Sequence, residues 1–222
     1  MISSKRPLGW LFSTLGATLA IILASLAAQL VSRADPVTPW LSASIGASAV
    51  LTFHFPASPL AQPWSVACSH LTAAAIGLTV RHLGLEPSII AGLAVGGAIA
   101  AMKLTRSEHP PAGGTALITA LAPVGSAATQ WHFLLAPLAV NVAVLLLLAV
   151  LWNRLTGHSY PHRAVAVPAP EPWAGHILDE DLDAVLEQWD EALDVDRGDL
   201  LALLHAVEAR VFERVKLSVG KP

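Results

Sequence analysis

Six apolar segments, separated by short polar stretches, fill most of the chain between residues 8 and 153. They lie at residues 8–31, 41–55, 64–83, 88–104, 112–122 and 132–153. Four of them are long enough, at about 1.5 Å per helical residue, to cross a hydrocarbon core of about 30 Å. The segments at 41–55 and 112–122 are too short. Hydrophobic residues make up 54% of the chain and charged residues 13%, so we expect an all-α membrane protein.

The basic residues predict how these segments are oriented. The first segment is too long for the core of a secretory signal peptide, so we interpret it as a retained span. Counting six crossings places both termini on one side of the membrane. The bases on that side are Lys5, Arg6, Lys103, Arg106, Arg154 and Arg163, whereas only Arg33 and Arg81 lie on the other. The positive-inside rule therefore predicts cytoplasmic N and C termini, in a bacterial-type inner (plasma) membrane.

Two twenty-residue blocks, 45–64 and 112–131, match at a constant offset of 67 positions. The identical pairs are Gly46/Gly113, Ala49/Ala116, Thr52/Thr119, Pro56/Pro123, Ala61/Ala128 and Trp64/Trp131. A repeat unit of three spans has an odd number of crossings, so the second copy must be inserted upside down relative to the first. The pattern predicts six membrane segments in a 3+3 inverted repeat, about 8–83 and 85–155, with two short or broken helices in corresponding positions.

The starts of the two short helices form the predicted binding site, near the middle of the membrane. A helix N-terminus presents free N–H groups and a partial positive charge, so two that face each other favour an anion. Glycines let backbone approach a ligand, hydroxyls donate to it or cap the helix, and prolines fix the entering chain. The candidate ligand contacts here are Ser44, Gly46, Ser48, Pro110, Pro111, Gly113, Gly114 and Thr115.

Three further polar residues are candidates for contact with the substrate. His109 precedes the second short helix and is either an anion donor or a residue that braces the loop. His70 lies within the 64–83 segment, where an ionisable group marks a functional site or bonds one helix to another. Asn141 lies in the last apolar segment, with the same two alternatives. The sequence offers no catalytic set, metal-binding cluster or nucleotide-binding loop, so we expect neither an enzyme nor a cofactor.

Several motifs in residues 8–163 resemble those of the HPP family of integral membrane proteins. The clearest is Ser107-Glu108-His109-Pro110-Pro111-Ala112-Gly113-Gly114-Thr115-Ala116-Leu117, and the others are Gly46–Leu51, Ser58–Pro63, Ser69-His70 and Trp152-Asn153-Arg154. Gly114 departs from the family pattern, because many relatives have alanine there. Plant plastid and cyanobacterial members are associated with nitrite transport. The resemblance therefore implies transport of nitrite or a similar small anion.

The C-terminal part of the chain differs in composition from the apolar part. Residues 171–222 hold 13 of the 16 acids and carry a formal charge of −8, against +5 for residues 1–170. We expect a transmembrane domain over 1–163, a proline-rich linker over 164–178 and a cytoplasmic tail of two amphipathic helices over 179–217, the second capped by Asp199. Two such helices cannot bury their apolar faces alone, so we expect them to dock on each other and on either a neighbouring subunit or the transmembrane domain, and we expect a homo-oligomer.

The tail also leaves a second function open. The chain is either a transporter, with a small anion and the lipid bilayer as its partners, or a non-transporting membrane scaffold or sensor that acts through these C-terminal helices. We expect no nucleic acid as a partner.

Overall fold

The computed structural model describes residues 9–32, 43–164, 176–188 and 194–219, and these residues form helices joined by turns and short loops. The chain divides into two compact units, residues 1–162, called the body here, and residues 163–222, called the tail unit. The α-helices of the body are α1 (Gly9–Ser32), α2 (Ala43–His54), α3 (Pro63–Val80), α4 (Pro87–Thr105), α5 (Ala112–Leu121) and α6 (Val140–Leu155). Those of the tail unit are α7 (Asp179–Glu187) and α8 (Arg197–Val219).

Three helical stretches in the described residues are long and apolar enough to cross a membrane: Gly9–Val31, Pro87–Thr105 and Trp131–Leu155. The sequence predicts a fourth at 64–83, and the structure differs there. Helix α3 ends at Val80 and is followed by a short 3-10 turn. Its buried Ser65, Ser69 and His70 lower its apolar character. The described residues thus form an all-α architecture, with three helical stretches long and apolar enough to span a membrane.

Helices α2 and α5 are the two short apolar helices expected from the sequence. They contain 12 and 10 residues, which correspond to about 18 and 15 Å of helix. A side chain from elsewhere in the body binds a carbonyl in the last turns of each. Arg81 donates to the Thr119 carbonyl at 2.6 Å, and Asn153 donates to the Thr52 carbonyl at 3.0 Å. Such donors satisfy carbonyls that the end of a helix leaves unpaired.

The packing of the body has an internal symmetry. Helix α1 packs on α2 and α6, and in the same way α4 packs on α5 and α3. Helix α2 contacts α6, as α5 contacts α3, while α2 meets α5 and α3 meets α6. Exchanging α1–α3 with α4–α6 leaves this set of helix pairs unchanged. Thr52 and Thr119, the equivalents at the offset of 67, are also the residues whose carbonyls Asn153 and Arg81 bind.

Small residues allow the helices to approach closely. The buried apolar residues of α1 are alanines, as are two of the four in α4, and Gly77 lies where α3 crosses α5. A Cβ on Gly77 would overlap the Thr119 side chain and the Ala116 carbonyl. Small residues at helix crossings are typical of membrane bundles, where van der Waals packing holds the helices together. Gly77 thereby positions α5, the helix that carries Thr115.

The tail unit has its own contacts between and around its helices. Asp183 of α7 pairs with Arg197 of α8 through hydrogen bonds of 2.7 and 2.8 Å. His176 binds the largely buried Glu208 at 2.8 Å. Helix α8 begins at Arg197, earlier than the sequence predicts, because Asp196 rather than Asp199 accepts from the first amides of the helix. The predicted linker and residues 189–193 of the first predicted tail helix fall largely or wholly outside the described residues.

Candidate functional site

The first turns of α2 and α5 meet inside the body. Ser44 Oγ lies 2.7 Å from Thr115 Oγ1, although the two residues are 71 positions apart in sequence. Gly114 lies beside this pair, and a Cβ at that position would be 3.4 Å from the Ser44 Cβ, an ordinary van der Waals contact. The two short helices therefore start from one point, as the repeat predicts for two helix N-termini that share a site.

His70 joins the two short helices from a third element. It lies on α3, and its Nε2 is 2.8 Å from Ser48 Oγ on α2. Its Nδ1 is 2.7 Å from Thr115 Oγ1 on α5. Ser48 and Thr115 are equivalent at the offset of 67. One imidazole is thus held between two hydroxyls that correspond in the two halves of the body.

His109 completes the cluster from the loop that precedes α5. Its Nε2 lies 2.7 Å from Ser48 Oγ, and its Nδ1 lies 2.7 Å from the Leu60 carbonyl oxygen. The centroids of the His109 and His70 rings are 5.2 Å apart, in an edge-on arrangement. Ser48 consequently contacts both imidazoles. We call Ser44, Ser48, His70, His109 and Thr115 the hydroxyl–imidazole cluster.

The cluster is removed from solvent. Ser48, His70, His109 and Thr115 have no exposed surface, and Ser44 is 5% exposed. The acids in the described part of the body are Glu86 and Glu108, and neither is buried. Burying polar groups is costly unless each is hydrogen-bonded, and here every member has at least one partner in the cluster. The site therefore offers hydroxyl and imidazole donors, and the described part of the body places no buried carboxylate near them.

The remaining predicted site residues lie outside the hydroxyl–imidazole cluster. Gly46 and Gly113 have open space where a Cβ would be, so neither makes a tight backbone contact within the chain. Pro110 is exposed and Pro111 is half-buried. Asn141 is buried on α6. The structure therefore brings Ser44, Ser48, His70, His109, Gly114 and Thr115 together, and the other predicted residues lie around α2, α5 and α6.

The prediction of free amides at the start of α5 is wrong. The amides of Ala112, Gly113 and Gly114 donate to the carbonyls of His109, Pro110 and Pro111, each at 3.0 Å. The two prolines have no N–H, so the first turn of this helix contributes fewer donors than an ordinary N-terminus. Hydrogen-bond donors at the α5 side of the site are therefore side chains, Thr115 and His109, rather than backbone.

A cavity of about 190 Å³ has Pro59, Leu60 and Ser65 among its lining residues. Its remaining lining residues are Lys103, Arg106 and Glu108. Lys103 and Glu108 form an ion pair, with side chains that are 70% and 44% exposed. Arg106 is exposed as well. Leu60 connects the two features, because its carbonyl also holds His109.

The comparison with known families decides what kind of protein carries this cluster. The transmembrane region of the HPP family matches residues 3–161. The chain belongs to the HPP family. This is a family of integral membrane proteins, as the apolar helices of the body also indicate. The HPP motif His109-Pro110-Pro111 supplies both an imidazole of the cluster and the entry into α5.

Two transmembrane proteins of Dictyostelium discoideum resemble this HPP protein. One is 34% identical over 151 residues, which are 65% of this chain and 46% of the relative. The other is 34% identical over 126 residues, which are 54% of this chain and 44% of the relative. The matched region thus spans less than half the length of either relative. No solved structure shows significant similarity to the chain.

Several residues that support the hydroxyl–imidazole cluster were not predicted from the sequence. The Leu60 carbonyl positions His109, and no side-chain pattern reveals a backbone acceptor. Gly77 sets the distance between α3 and α5. Thr52 and Thr119 donate to the backbone carbonyls of Ser48 and Thr115 at 3.0 and 3.1 Å. Their identity in the repeat was a usable signal, because both brace the residue one helical turn earlier.

Proposed function

We propose that this HPP protein transports a small inorganic anion across the membrane, with nitrite as the first candidate. The observation that carries the proposal is the meeting of α2 and α5 at the Ser44–Thr115 hydroxyl pair, directly against His70 and His109. Hydroxyl and imidazole groups donate hydrogen bonds, and the positive ends of the two helix dipoles add a favourable potential. The anion binds beside these hydroxyl and imidazole groups.

The charge distribution supports an anion rather than a cation as the substrate. Carboxylates are the usual ligands of transported cations, and the described part of the body buries none. The cavity beside Leu60 has Lys103 and Arg106 on its rim and one acid, Glu108, already paired with Lys103. A rim of net positive charge raises the local concentration of anions. We propose that this cavity is the cytoplasmic entrance.

The internal symmetry supports the architecture that such transport requires. We propose a 3+3 inverted repeat of α1–α3 and α4–α6, in which the two short helices begin inside the protein. The unchanged set of helix pairs and the equivalent roles of Ser48 and Thr115 support this arrangement. In inverted repeats of secondary transporters, short helices in corresponding positions mark the substrate site. A bacterial-type inner membrane with cytoplasmic termini and a homo-oligomeric assembly belong to the same proposal.

Nitrite uptake into proteoliposomes tests this function. The informative pair of variants is Thr115→Val, which removes a hydroxyl of the cluster, and Thr72→Val, which removes a half-buried hydroxyl that bonds only within its own helix, α3. Losing a buried hydrogen bond to the substrate costs about 1–3 kcal/mol, so we expect Thr115→Val to lower the uptake rate roughly tenfold or more. Thr72→Val should stay close to the wild type. Uptake no faster than in empty liposomes contradicts the proposal.

A further inference from the structure

The five side chains of the hydroxyl–imidazole cluster are joined end to end. The order is Ser44, Thr115, His70, Ser48 and His109, with successive distances of 2.7, 2.7, 2.8 and 2.7 Å. Two hydroxyls are followed by an imidazole, a hydroxyl and a second imidazole, and every link joins groups able both to donate and to accept a proton. We propose that this series is a proton relay that protonates His109, so that the anion crosses together with a proton. The inference rests on the proposed function of the same site.

The Leu60 carbonyl gives the relay a direction. A carbonyl oxygen only accepts, so His109 donates to it from Nδ1, and the Nε2 of neutral His109 accepts from the Ser48 hydroxyl. The single Ser48 proton also lies within reach of the Ser44 carbonyl, 2.9 Å from Ser48 Oγ; in the relay this proton goes to His109 instead, so in the bond between Ser48 and His70 it is His70 Nε2 that donates. Nδ1 of neutral His70 then accepts from Thr115. Finally, the Thr115 oxygen accepts from Ser44.

A proton that arrives at Ser44 can pass along this series with every bond conserved. Ser44 takes up the incoming proton and releases its own to Thr115, and Thr115 passes its proton to Nδ1 of His70. His70 gives the Nε2 proton to Ser48, and Ser48 gives its proton to Nε2 of His109. One proton has then entered, and His109 carries one positive charge. Each of the four hydrogen bonds is still present, with its donor and acceptor exchanged. Ser44, the one member with any exposure, is the point of entry.

The charged state of His109 explains why proton and anion travel together. An imidazolium buried without a partner is costly, and an anion beside it removes most of that cost. The titratable group that directly faces His109 is His70, which stays neutral because the relay carries one proton at a time. On the α4 side, Glu108 is paired with Lys103, and Arg106 is exposed. His109 therefore needs the transported anion as its counter-charge.

The test compares two driving forces for nitrite uptake by the purified full-length protein in liposomes, after subtraction of uptake by empty liposomes. One set of vesicles has a pH gradient, acid outside, at zero potential. The other has a membrane potential at equal pH. Entry of one proton with each nitrite is electroneutral, so we expect protein-dependent uptake to rise about tenfold per unit of pH gradient. The potential should change it less than about twofold.

Three outcomes are distinct. Protein-dependent uptake that follows the potential and ignores the pH gradient overturns the relay and leaves anion transport intact. No protein-dependent uptake under either condition overturns the proposed function, and the relay with it. Dependence on the pH gradient supports the relay. Thr115→Ser, which keeps a hydroxyl, should then retain the response to pH, whereas His70→Gln, which keeps hydrogen bonding but cannot pass a proton, should lose it. His70→Gln with an unchanged response also overturns the relay.

Discussion

Ser48 and Thr115 bind opposite ring nitrogens of the same imidazole, that of His70, at 2.8 and 2.7 Å. The two residues are equivalent in the internal repeat, yet they lie on different short helices. An imidazole is asymmetric when neutral, because one nitrogen donates while the other accepts. Two equivalent hydroxyls are consequently held in two different roles. The near-symmetric body thereby acquires a polarity at its centre, which the proposed coupling of proton and anion requires.

The close crossing of α3 and α5 depends on Gly77. A Gly77→Ala substitution places a methyl group against Thr119 and the Ala116 carbonyl, so the two helices must separate. Overpacking of this kind costs about 1–3 kcal/mol, and we expect a lower melting temperature of the protein in detergent. The matched control is Gly96→Ala on α4, where a Cβ meets no atom within 4 Å. Equal melting temperatures for the two variants would falsify the role given to Gly77.

Tyr160 secures the loop that holds His109. Its hydroxyl donates to the Ala61 carbonyl at 2.7 Å, the residue is 2% exposed, and burial raises the pKa of its phenol. Tyr160→Phe leaves that buried carbonyl without its donor, so we expect the body to lose about 1–3 kcal/mol of stability in thermal unfolding. Thr79→Val, which removes an exposed hydroxyl bonded only to its own helix, is the control and should change little. If Tyr160→Phe destabilises the body no more than Thr79→Val does, Tyr160 does not secure this loop.

The tail unit should respond to acid through Asp183. The Arg197 guanidinium donates to Asp183 and lowers the pKa of its carboxyl below the ordinary range. Because the pKa of Asp183 is lower in the folded than in the unfolded chain, its pairing with Arg197 stabilises the tail unit above the unfolded pKa of about 4. This stabilisation is lost as the pH falls through the lower, folded pKa. The NMR signal of the Arg197 Nε–H group in the full-length protein should shift with a midpoint below pH 4. The same shift in Asp183→Asn would argue against the pairing.

Much of this arrangement could be read from the sequence, and the failures have physical causes. The offset of 67 and the lengths of the apolar segments predicted the two short helices and their common starting point, because periodicity and length are local properties. The span at 64–83 was overestimated, since α3 uses polar residues to build the site. The amides before Thr115 were expected to be free, but the carbonyls of His109, Pro110 and Pro111 accept from them. The contact between the Leu60 carbonyl and His109 could not be predicted, because tertiary packing alone brings the two together.

The central claim is that an anion binds between the hydroxyls and imidazoles of the cluster. Solid-state NMR of the full-length protein in lipid, with ¹⁵N-labelled histidine, tests it by titration with nitrite. We predict saturable shifts of the ring nitrogens of His70 and His109, while the exposed His54 and His82 stay unchanged. Thr115→Val should weaken the effect. Nitrite that leaves His70 and His109 unshifted in the folded wild-type protein, or that shifts the exposed histidines equally, would contradict the account.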